Sequence, residues 1–247
     1  MNRLIIIGAS GHGKVIADIA VKNGYEDIVF LDDDESLQEC AGFPVIGKTQ
    51  EAQTLCGDKI VAIGNASIRA RIQKELDTVT LIHPNATIGR RVTIGKGSVV
   101  MAGAVINSDT VIGDGCIINT AASVDHDCVI EDFVHVAVGA HLCGTVHIGK
   151  NTWIGAGATV SNNINVCEDC MMRCGRSAYA EISIGLLGDP DHDRRKADIV
   201  AQDLIVGTYG FQREGRKIKI SHEIASLLNR PQGKGHSVHV KRHRLKM

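Results

Sequence analysis

Apolar side chains return at every sixth position through the middle of the chain. The series consists of Ile82, Ile88, Ile94, Val100, Ile106, Ile112, Ile118, Val124, Ile130, Val136, Leu142, Ile148, Ile154, Val160, Val166 and Met172. Four residues after many of these positions the side chain is small, as at Ala86, Ser98, Ala104, Cys116, Ala122, Cys128, Ala140 and Ala158. A period of six is typical of a parallel β-helix, in which three hexapeptides form one triangular coil. We predict about five stacked coils, with equivalent residues of successive coils in one column.

The first 80 residues follow a different pattern, in which apolar runs alternate with helical spacing. The runs "RLIIIGA", "DIVFLDDD" and "KIVAIGN" are typical of strands, and helices are expected over residues 14–22 and 68–76. Alternation of strands and helices predicts a parallel sheet covered by helices. We therefore expect an α/β domain at residues 1–80 and a β-helix domain at residues 81–188.

The six-residue period is expected to fail after Met172, where Arg173 and Arg176 replace a glycine and a small inward residue. Ile184 and Gly185 recover one weak repeat. Residues 213–247 are rich in lysine and arginine, and we predict a poorly ordered basic tail over residues 189–247. Because aromatic platforms are missing from it, we expect no nucleic-acid partner. The abrupt change suggests a frameshift, a fusion or a replaced terminus, which resequencing of the DNA would distinguish.

Composition narrows the class of protein. Aromatic residues make up only 3% of the 247 residues, which suits a core of stacked small aliphatic side chains, and the net charge is −1. The first apolar run is too short for a secretory signal, and no stretch reaches the roughly 20 apolar residues of a membrane span. We expect a cytoplasmic protein without stable membrane insertion, in which the eight cysteines stay reduced.

Four segments together resemble one family: "IIIGASGHG", "FLDDD", "LIHPNATIG" and "VDHDCVIEDFVHVAVGA". It is the family of bacterial sugar acetyltransferases of surface-glycan synthesis, comprising sialic acid O-acetyltransferases and enzymes that N-acetylate UDP-linked 4-amino sugars. The resemblance implies a Rossmann-like N-terminal domain for the sugar substrate and a left-handed parallel β-helix that binds acetyl-CoA. It also implies a homotrimer with active sites between neighbouring β-helices.

His126 is the expected general base, because its ordinary pKa lies near neutrality and its place in the hexapeptide is a corner of the coil. Asp125 and Asp127 flank it, and either can orient the ring; the resemblance favours Asp127. Gly144 lies three hexapeptides later, directly over His126. A glycine there leaves room for a thioester and exposes a backbone N–H as oxyanion donor, a role that the resemblance also implies.

His135 comes nine residues after His126, half a coil further on, so within one chain the two should face different sides. The resemblance implies that His135 contacts the acetyl group of acetyl-CoA; otherwise it is a wall or interface residue. The cofactor should lie in a groove between coils, near Gly155, Ala156 and Gly175.

Zinc chemistry is the rival interpretation of the histidines. His135, His141 and His147 recur every six residues and should point in three directions, so that one chain cannot bring them to one ion. We therefore expect no metal. Cys170 in "CEDCMMRC" occupies a small inward slot, and we interpret it as a packing thiol.

A glycine-rich loop joins the first strand to the first helix. It departs from the dinucleotide pattern G-x-G-x-x-G, so that an NAD fingerprint is weak, but small residues at a helix N-terminus still suit a phosphate. Two aspartates at the end of the second strand can accept hydrogen bonds from a ribose or base. By resemblance, this pocket takes the nucleotide of a UDP-sugar. The candidate substrate-binding residues are Gly8, Ser10, Gly11, His12, Gly13, Asp32 and Asp33.

The function we predict is acetyl-CoA-dependent acetylation of a sugar or UDP-sugar, with the amine of a UDP-4-amino-4,6-dideoxy sugar favoured over a sialic acid hydroxyl. Two alternatives of another class stay open. The altered C-terminus suggests a catalytically inactive trimeric scaffold, and the histidines suggest a zinc-dependent hydratase.

Overall fold

The computed structural model describes residues 2–179 and two short strands, β23 (Gln212–Glu214) and β24 (Lys217–Lys219). The chain forms two compact units, Met1–Gly210 and Phe211–Met247. In the second unit β23 and β24 pair antiparallel. The domain boundary predicted near residue 188, the weak repeat at Ile184 and the rest of the predicted tail lie outside the described residues.

The N-terminal lobe, residues 2–80, is a five-stranded sheet with strand order β3-β4-β2-β1-β5. Its elements are β1 (Arg3–Ile7), α1 (Gly11–Lys22), β2 (Asp27–Leu31), β3 (Glu39–Cys40), β4 (Phe43–Gly47), a 3-10 helix (Thr49–Gln53), β5 (Asp58–Val61) and α2 (Ala66–Gln73). All pairs are parallel except β3 with β4, so the predicted parallel sheet with helices is confirmed. The hairpin of β3 and β4, which the pattern does not predict, turns at Ala41 and Gly42, both with positive φ.

The β-helix consists of two-residue strands in three parallel faces. The first face contains β6 (Leu81–Ile82), β9 (Val99–Val100), β12 (Ile117–Ile118), β15 (His135–Val136), β18 (Trp153–Ile154) and β21 (Met171–Met172). The second contains β7 (Thr87–Ile88), β10 (Val105–Ile106), β13 (Ser123–Val124), β16 (His141–Leu142), β19 (Thr159–Val160) and β22 (Ser177–Ala178). The third contains β8 (Thr93–Ile94), β11 (Val111–Ile112), β14 (Val129–Ile130), β17 (His147–Ile148) and β20 (Asn165–Val166).

The second residue of most strands points inward and forms one continuous core, as the six-residue period predicts. Cys116, Cys128 and Cys170 are buried among these aliphatic side chains, which confirms that Cys170 is a packing thiol. Packing of such small side chains stabilises the coil without large aromatic rings.

The expectation that the repeat fails after Met172 is wrong by one strand. Ala178 lies six residues further on, in the inward position, and only 5% of it is exposed. The strand around it is bonded to the coil below, because Thr159 N–H donates to Arg176 O and Ser161 N–H donates to Ala178 O. The strand therefore forms, and Arg176 takes part in its ladder through the main-chain carbonyl although a small inward residue is expected there.

The N-terminal lobe packs on the first face of the β-helix, and we call this contact the seam. Leu81, Val99, Met101 and Ile117 share a buried cluster with apolar residues of β1, β2 and α1. The other two faces of the β-helix do not belong to this cluster. Among residues 2–179, no helix is long and apolar enough to cross a membrane.

Candidate active site

His126 stands at the corner between β13 and β14, and 54% of its side chain is exposed. Its Nδ1 lies 2.7 Å from Oδ2 of Asp127. Asp127 reaches the ring because it takes the left-handed conformation, with φ of 57°, that turns the chain at the corner. A carboxylate at Nδ1 fixes the tautomer with the proton on Nδ1, which leaves Nε2 free to accept a proton.

The same pair sets the electrostatics of the corner. The hydrogen bond to Asp127 raises the pKa of His126, and the negative charge of Asp125 adds to this effect. Asp125 does not contact the ring: its Oδ1 accepts Nδ2–H of Asn107 at 2.7 Å and the backbone N–H of His126 at 2.9 Å. Of the two flanking aspartates, the structure therefore brings Asp127 to the imidazole.

Gly144 lies against the imidazole of His126, as the stacking of coils predicts. A Cβ at position 144 would be 2.7 Å from both Cε1 and Nε2 of His126. A larger side chain at position 144 would displace the ring, and the backbone N–H of Gly144 has no acceptor within residues 2–179. The proton-accepting Nε2 of His126 and the backbone of Gly144 are thus adjacent, and acyl transfer needs a base together with a donor for the oxyanion.

His135 lies in a contrasting environment at the seam, where only 6% of it is exposed. Its Nε2 is 3.0 Å from Nδ2 of Asn119, and its ring packs against Trp153 with centroids 4.0 Å apart and planes tilted by 48°. Because the amide nitrogen donates, Nε2 accepts and the ring proton belongs on Nδ1. That Nδ1 is buried without a partner among the described residues.

Burial, with smaller contributions from the charge of Arg69 and from His12, lowers the pKa of His135 to about 3. His12 sits in the first turn of α1, and burial and the charge of Arg69 lower its pKa to about 4. Both rings are therefore neutral at physiological pH. The structure brings together two histidines that the sequence analysis assigned to different ligands, one to the substrate and one to the cofactor.

The glycines of the N-terminal loop differ in what they do. A Cβ at Gly8, whose φ is 113°, would be 2.9 Å from Ala62 O, and one at Gly13 would be 2.2 Å from Gly8 O. These two positions are required by backbone packing. Gly11 has nothing within 4 Å of such a Cβ, so the helix N-terminus is open to a ligand there. Exposed Ser10 precedes it as N-cap of α1 without a side-chain capping bond.

The two aspartates after β2 are also unequal. Asp32 accepts the backbone N–H of Ala9 at 2.7 Å through Oδ2 and that of Asp34 at 3.0 Å through Oδ1. It therefore shapes the glycine loop. Asp33 is exposed and accepts Thr49 N–H at 3.0 Å through Oδ1, which leaves Oδ2 without a described partner and available to a ligand.

The remaining cofactor candidates lie at another corner, between the first and second faces. A Cβ at Gly155 would be 2.5 Å from Met172 O, and Gly175 N–H donates to Ala156 O at 2.8 Å. These residues stack the last two coils. Within one chain, the structure groups His126 with Gly144 and separates them from Gly155, Ala156 and Gly175.

Three residues of the seam were missed by the sequence analysis: Arg69, Asn119 and Trp153. The sole tryptophan of the chain is a signal, because Trp153 lies one coil after His135 and so must stack on it. Arg69 carries no such signal, since an arginine on a short helix usually faces solvent.

His135, His141 and His147 lie on the first, second and third faces, as their spacing predicts. Over residues 2–179 there is no group of three His, Cys, Asp or Glu side chains that could hold a metal ion.

Comparisons with known proteins agree on one family. Residues 3–76 match the PglD N-terminal domain family. The GDP-perosamine N-acetyltransferase of Escherichia coli O157:H7 is 30% identical over 177 residues, which are 66% of this chain and 80% of that protein. This chain belongs to the hexapeptide-repeat sugar acetyltransferases.

Two other known proteins are similar to this chain. The UDP-N-acetylbacillosamine N-acetyltransferase of Bacillus subtilis (strain 168) is 38% identical over 114 residues, 41% of this chain and 52% of that protein. The acetyltransferase domain of PglB from Neisseria gonorrhoeae FA1090, solved in complex with acetyl coenzyme A, is 43% identical with a TM-score of 0.71. The similarity covers 74% of this chain and 93% of that domain. The predicted family and the enzyme class, an acyltransferase, are confirmed.

Proposed function

We propose that this chain transfers the acetyl group of acetyl-CoA to the amine of a nucleotide-linked amino sugar, with a UDP-4-amino-4,6-dideoxy sugar as acceptor. The observation that carries the proposal is the His126–Asp127 pair, 2.7 Å apart, beside the backbone of Gly144. The names of the relatives, which N-acetylate GDP-perosamine and UDP-N-acetylbacillosamine, support an amine and a nucleotide.

In the proposed reaction, the amine nitrogen attacks the thioester carbonyl carbon while Nε2 of His126 accepts the amine proton. Asp127 stabilises the resulting imidazolium, and the N–H of Gly144 donates to the oxyanion. Collapse of the tetrahedral intermediate breaks the C–S bond. The leaving CoA sulfur then takes the proton from His126, which regenerates the base.

The nucleotide is proposed to bind at the loop between β1 and α1. Gly11 leaves the N-terminus of α1 open, where backbone N–H groups favour a phosphate. His12 lies beside the opening, and exposed Asp33 is available to a ribose hydroxyl or a base N–H. Acetyl-CoA is proposed to contact His135, Gly155, Ala156 and Gly175.

The division of the cofactor residues between two corners supports a homotrimer in which each site takes residues from two chains. The third face offers a contact surface, since Val111 and Val129 are neighbours in register and are 45% and 42% exposed. The proposed location is the cytoplasm, where a reducing environment would keep the eight cysteines as thiols.

A shared site has a direct test. His126→Ala and His135→Ala are each expected to be nearly inactive. Trimers assembled from equal amounts of both should regain about a quarter of the wild-type rate, because about one site in four combines an intact His126 from one chain with an intact His135 from its neighbour. A mixture that stays as inactive as its components argues for sites within single chains.

The activity itself is tested by release of CoA thiol with a panel of UDP-linked and GDP-linked amino sugars and free sialic acid. Wild-type protein should release thiol with a UDP-linked amino sugar, and His126→Ala should be slower by about 1,000-fold. Turnover of sialic acid alone would mean O-acetylation. No turnover at all would support the inactive scaffold, and zinc in the purified protein with hydratase activity would support the third alternative.

A further inference from the structure

Arg69 is the only arginine or lysine among the described residues that is almost fully buried, with 1% exposure. It projects from α2 into the seam and forms no ion pair within residues 2–179. A buried cation without an acidic partner is costly, so its retention calls for a specific arrangement of acceptors.

Those acceptors are four backbone carbonyls from both sides of the seam. On the lobe side, Nη1 donates to Ile63 O at 2.7 Å and to Gly64 O at 2.9 Å. On the β-helix side, Nε donates to Gly115 O at 2.7 Å and Nη2 donates to Phe133 O at 2.8 Å. One rigid guanidinium therefore holds two independent pieces of backbone at a fixed spacing.

Both pieces lead into the candidate site. Phe133 is two residues before His135, on the coil that presents that imidazole to the seam. Gly64 follows β5, and a Cβ on it would lie 4.0 Å from the Trp153 ring that stacks on His135. The hydrogen bonds of Arg69 thus set the distance between the N-terminal lobe and the face of the β-helix that carries His135.

We propose that Arg69 is a positioning residue for acetyl transfer, whose guanidinium fixes the loop after β5 against the coil of His135 and so aligns the bound nucleotide sugar with the acetyl group. The inference rests on the proposed function of this site. Since a displacement of about 1 Å costs on the order of 100-fold in rate, the spacing of the lobes matters for turnover even where affinity is kept.

The positive charge has a second consequence for the same site. Arg69 and His12 are the charged and titratable groups that face His135, whereas Asn119 and Trp153 contact it as neutral groups. Burial lowers the pKa of both histidines, and the charge of Arg69 lowers each of them further, so that Arg69 helps to keep His135 neutral. Cys116, which faces the guanidinium, is itself neutral because burial raises the pKa of its thiol to about 12.

The test compares Arg69→Met and Arg69→Lys with Arg71→Met, an exposed arginine on the same helix. Arg69→Met should lower kcat with a UDP-linked amino sugar about 100-fold, while KM for acetyl-CoA stays within about threefold. Arg69→Lys should also lose most of the wild-type kcat, because an ammonium group cannot donate to all four carbonyls at once. Arg71→Met should match the wild type. A wild-type kcat in Arg69→Met would overturn the proposal.

Fluorescence of the single tryptophan gives a readout that a purely structural role would not move. An imidazolium quenches a stacked indole more strongly than a neutral imidazole does. Wild type and Arg69→Lys should show no such quenching step between about pH 8 and about pH 5. In Arg69→Met, the midpoint pH of the quenching step should be higher than in the wild type, because the positive charge near His135 is removed. Superimposable titrations of wild type and Arg69→Met would contradict the electrostatic part.

Two safeguards keep the result interpretable. If Arg69→Met does not fold, the tautomer and pKa of His135 are read by NMR in the wild type. A proton on Nε2, or a pKa near 6.5, overturns the inference. If wild-type protein acetylates no sugar, the proposed function fails, but the fluorescence titration still decides whether Arg69 controls His135.

Discussion

Two histidines nine residues apart are placed in opposite surroundings by the same repeat. His126 is exposed at a corner, and a carboxylate raises its pKa. His135 is buried on a face, and burial with a nearby guanidinium lowers its pKa to about 3. The first environment suits a base that must take up a proton, and the second suits a neutral donor that must not.

The difference shows how one coil geometry produces two kinds of chemistry. A corner side chain leaves the wall and meets only its neighbours in sequence and in the next coil, here Asp127 and Gly144. A face side chain becomes buried when another part of the chain covers it, here the N-terminal lobe. The corner is therefore a local device, while the seam depends on packing between the two lobes.

Among the substitutions that test this comparison, the largest loss of activity is expected at the corner, from Gly144→Ala. Gly144→Ala places a methyl group 2.7 Å from Nε2 of His126, which pushes the ring away and should lower kcat about 100-fold. Stability should change little, because the contact is with a movable side chain.

Gly113→Ala is the matched control, since a Cβ there meets backbone atoms of Glu131 and Asp132 and should destabilise the coil instead. In a His126→Ala background, Gly144→Ala should have almost no further effect on rate. Full additivity of the two losses would show that Gly144 acts independently of the imidazole.

The corner was predictable from the sequence because its geometry is contained in the repeat. The period of six alone stacks Gly144 on His126 and separates His135, His141 and His147 onto three faces. The seam was not predictable. Arg69 and Arg71 are alike in sequence, and only the packing of α2 against the β-helix buries one and exposes the other.

The sequence pattern also failed to predict two features of the fold, the β3–β4 hairpin and the last repeat at Ala178. The strand β3 has only two residues, and β4 contains a proline, so neither resembles a buried strand. Ala178 continues the repeat although the residues before it break the pattern, because main-chain ladder bonds tolerate an arginine at 176.

A smaller loss of activity is expected from removing the carboxylate that raises the pKa of His126. Asp127→Asn removes the main cause of the raised pKa of His126, so the acid limb of the kcat/KM profile should move to lower pH. The weaker base should also reduce the plateau rate by about 30-fold. Asp125→Asn should move the limb in the same direction by less, because that carboxylate acts through its charge alone. Equal shifts for both variants would contradict the assigned roles.

The smallest effect concerns stability at the seam. For a histidine with a lowered pKa, the unfolded chain takes up the proton first, so stability is lost as pH falls below the ordinary value of 6.5 toward the folded value of about 3. Each such proton contributes a slope of about 1.4 kcal/mol per pH unit in that window. His135→Asn should flatten the pH dependence of the unfolding free energy by about one proton.

The measurement is denaturant unfolding of both proteins at several pH values between 8 and 4. The difference at pH 8 reports the packing lost with the imidazole, because His135 is neutral there in both states. As pH falls, the two curves should converge, since only the wild type carries the penalty of a buried neutral ring. Curves that stay parallel over the whole range would mean that His135 accepts its proton as readily folded as unfolded, and the contrast with the corner would disappear.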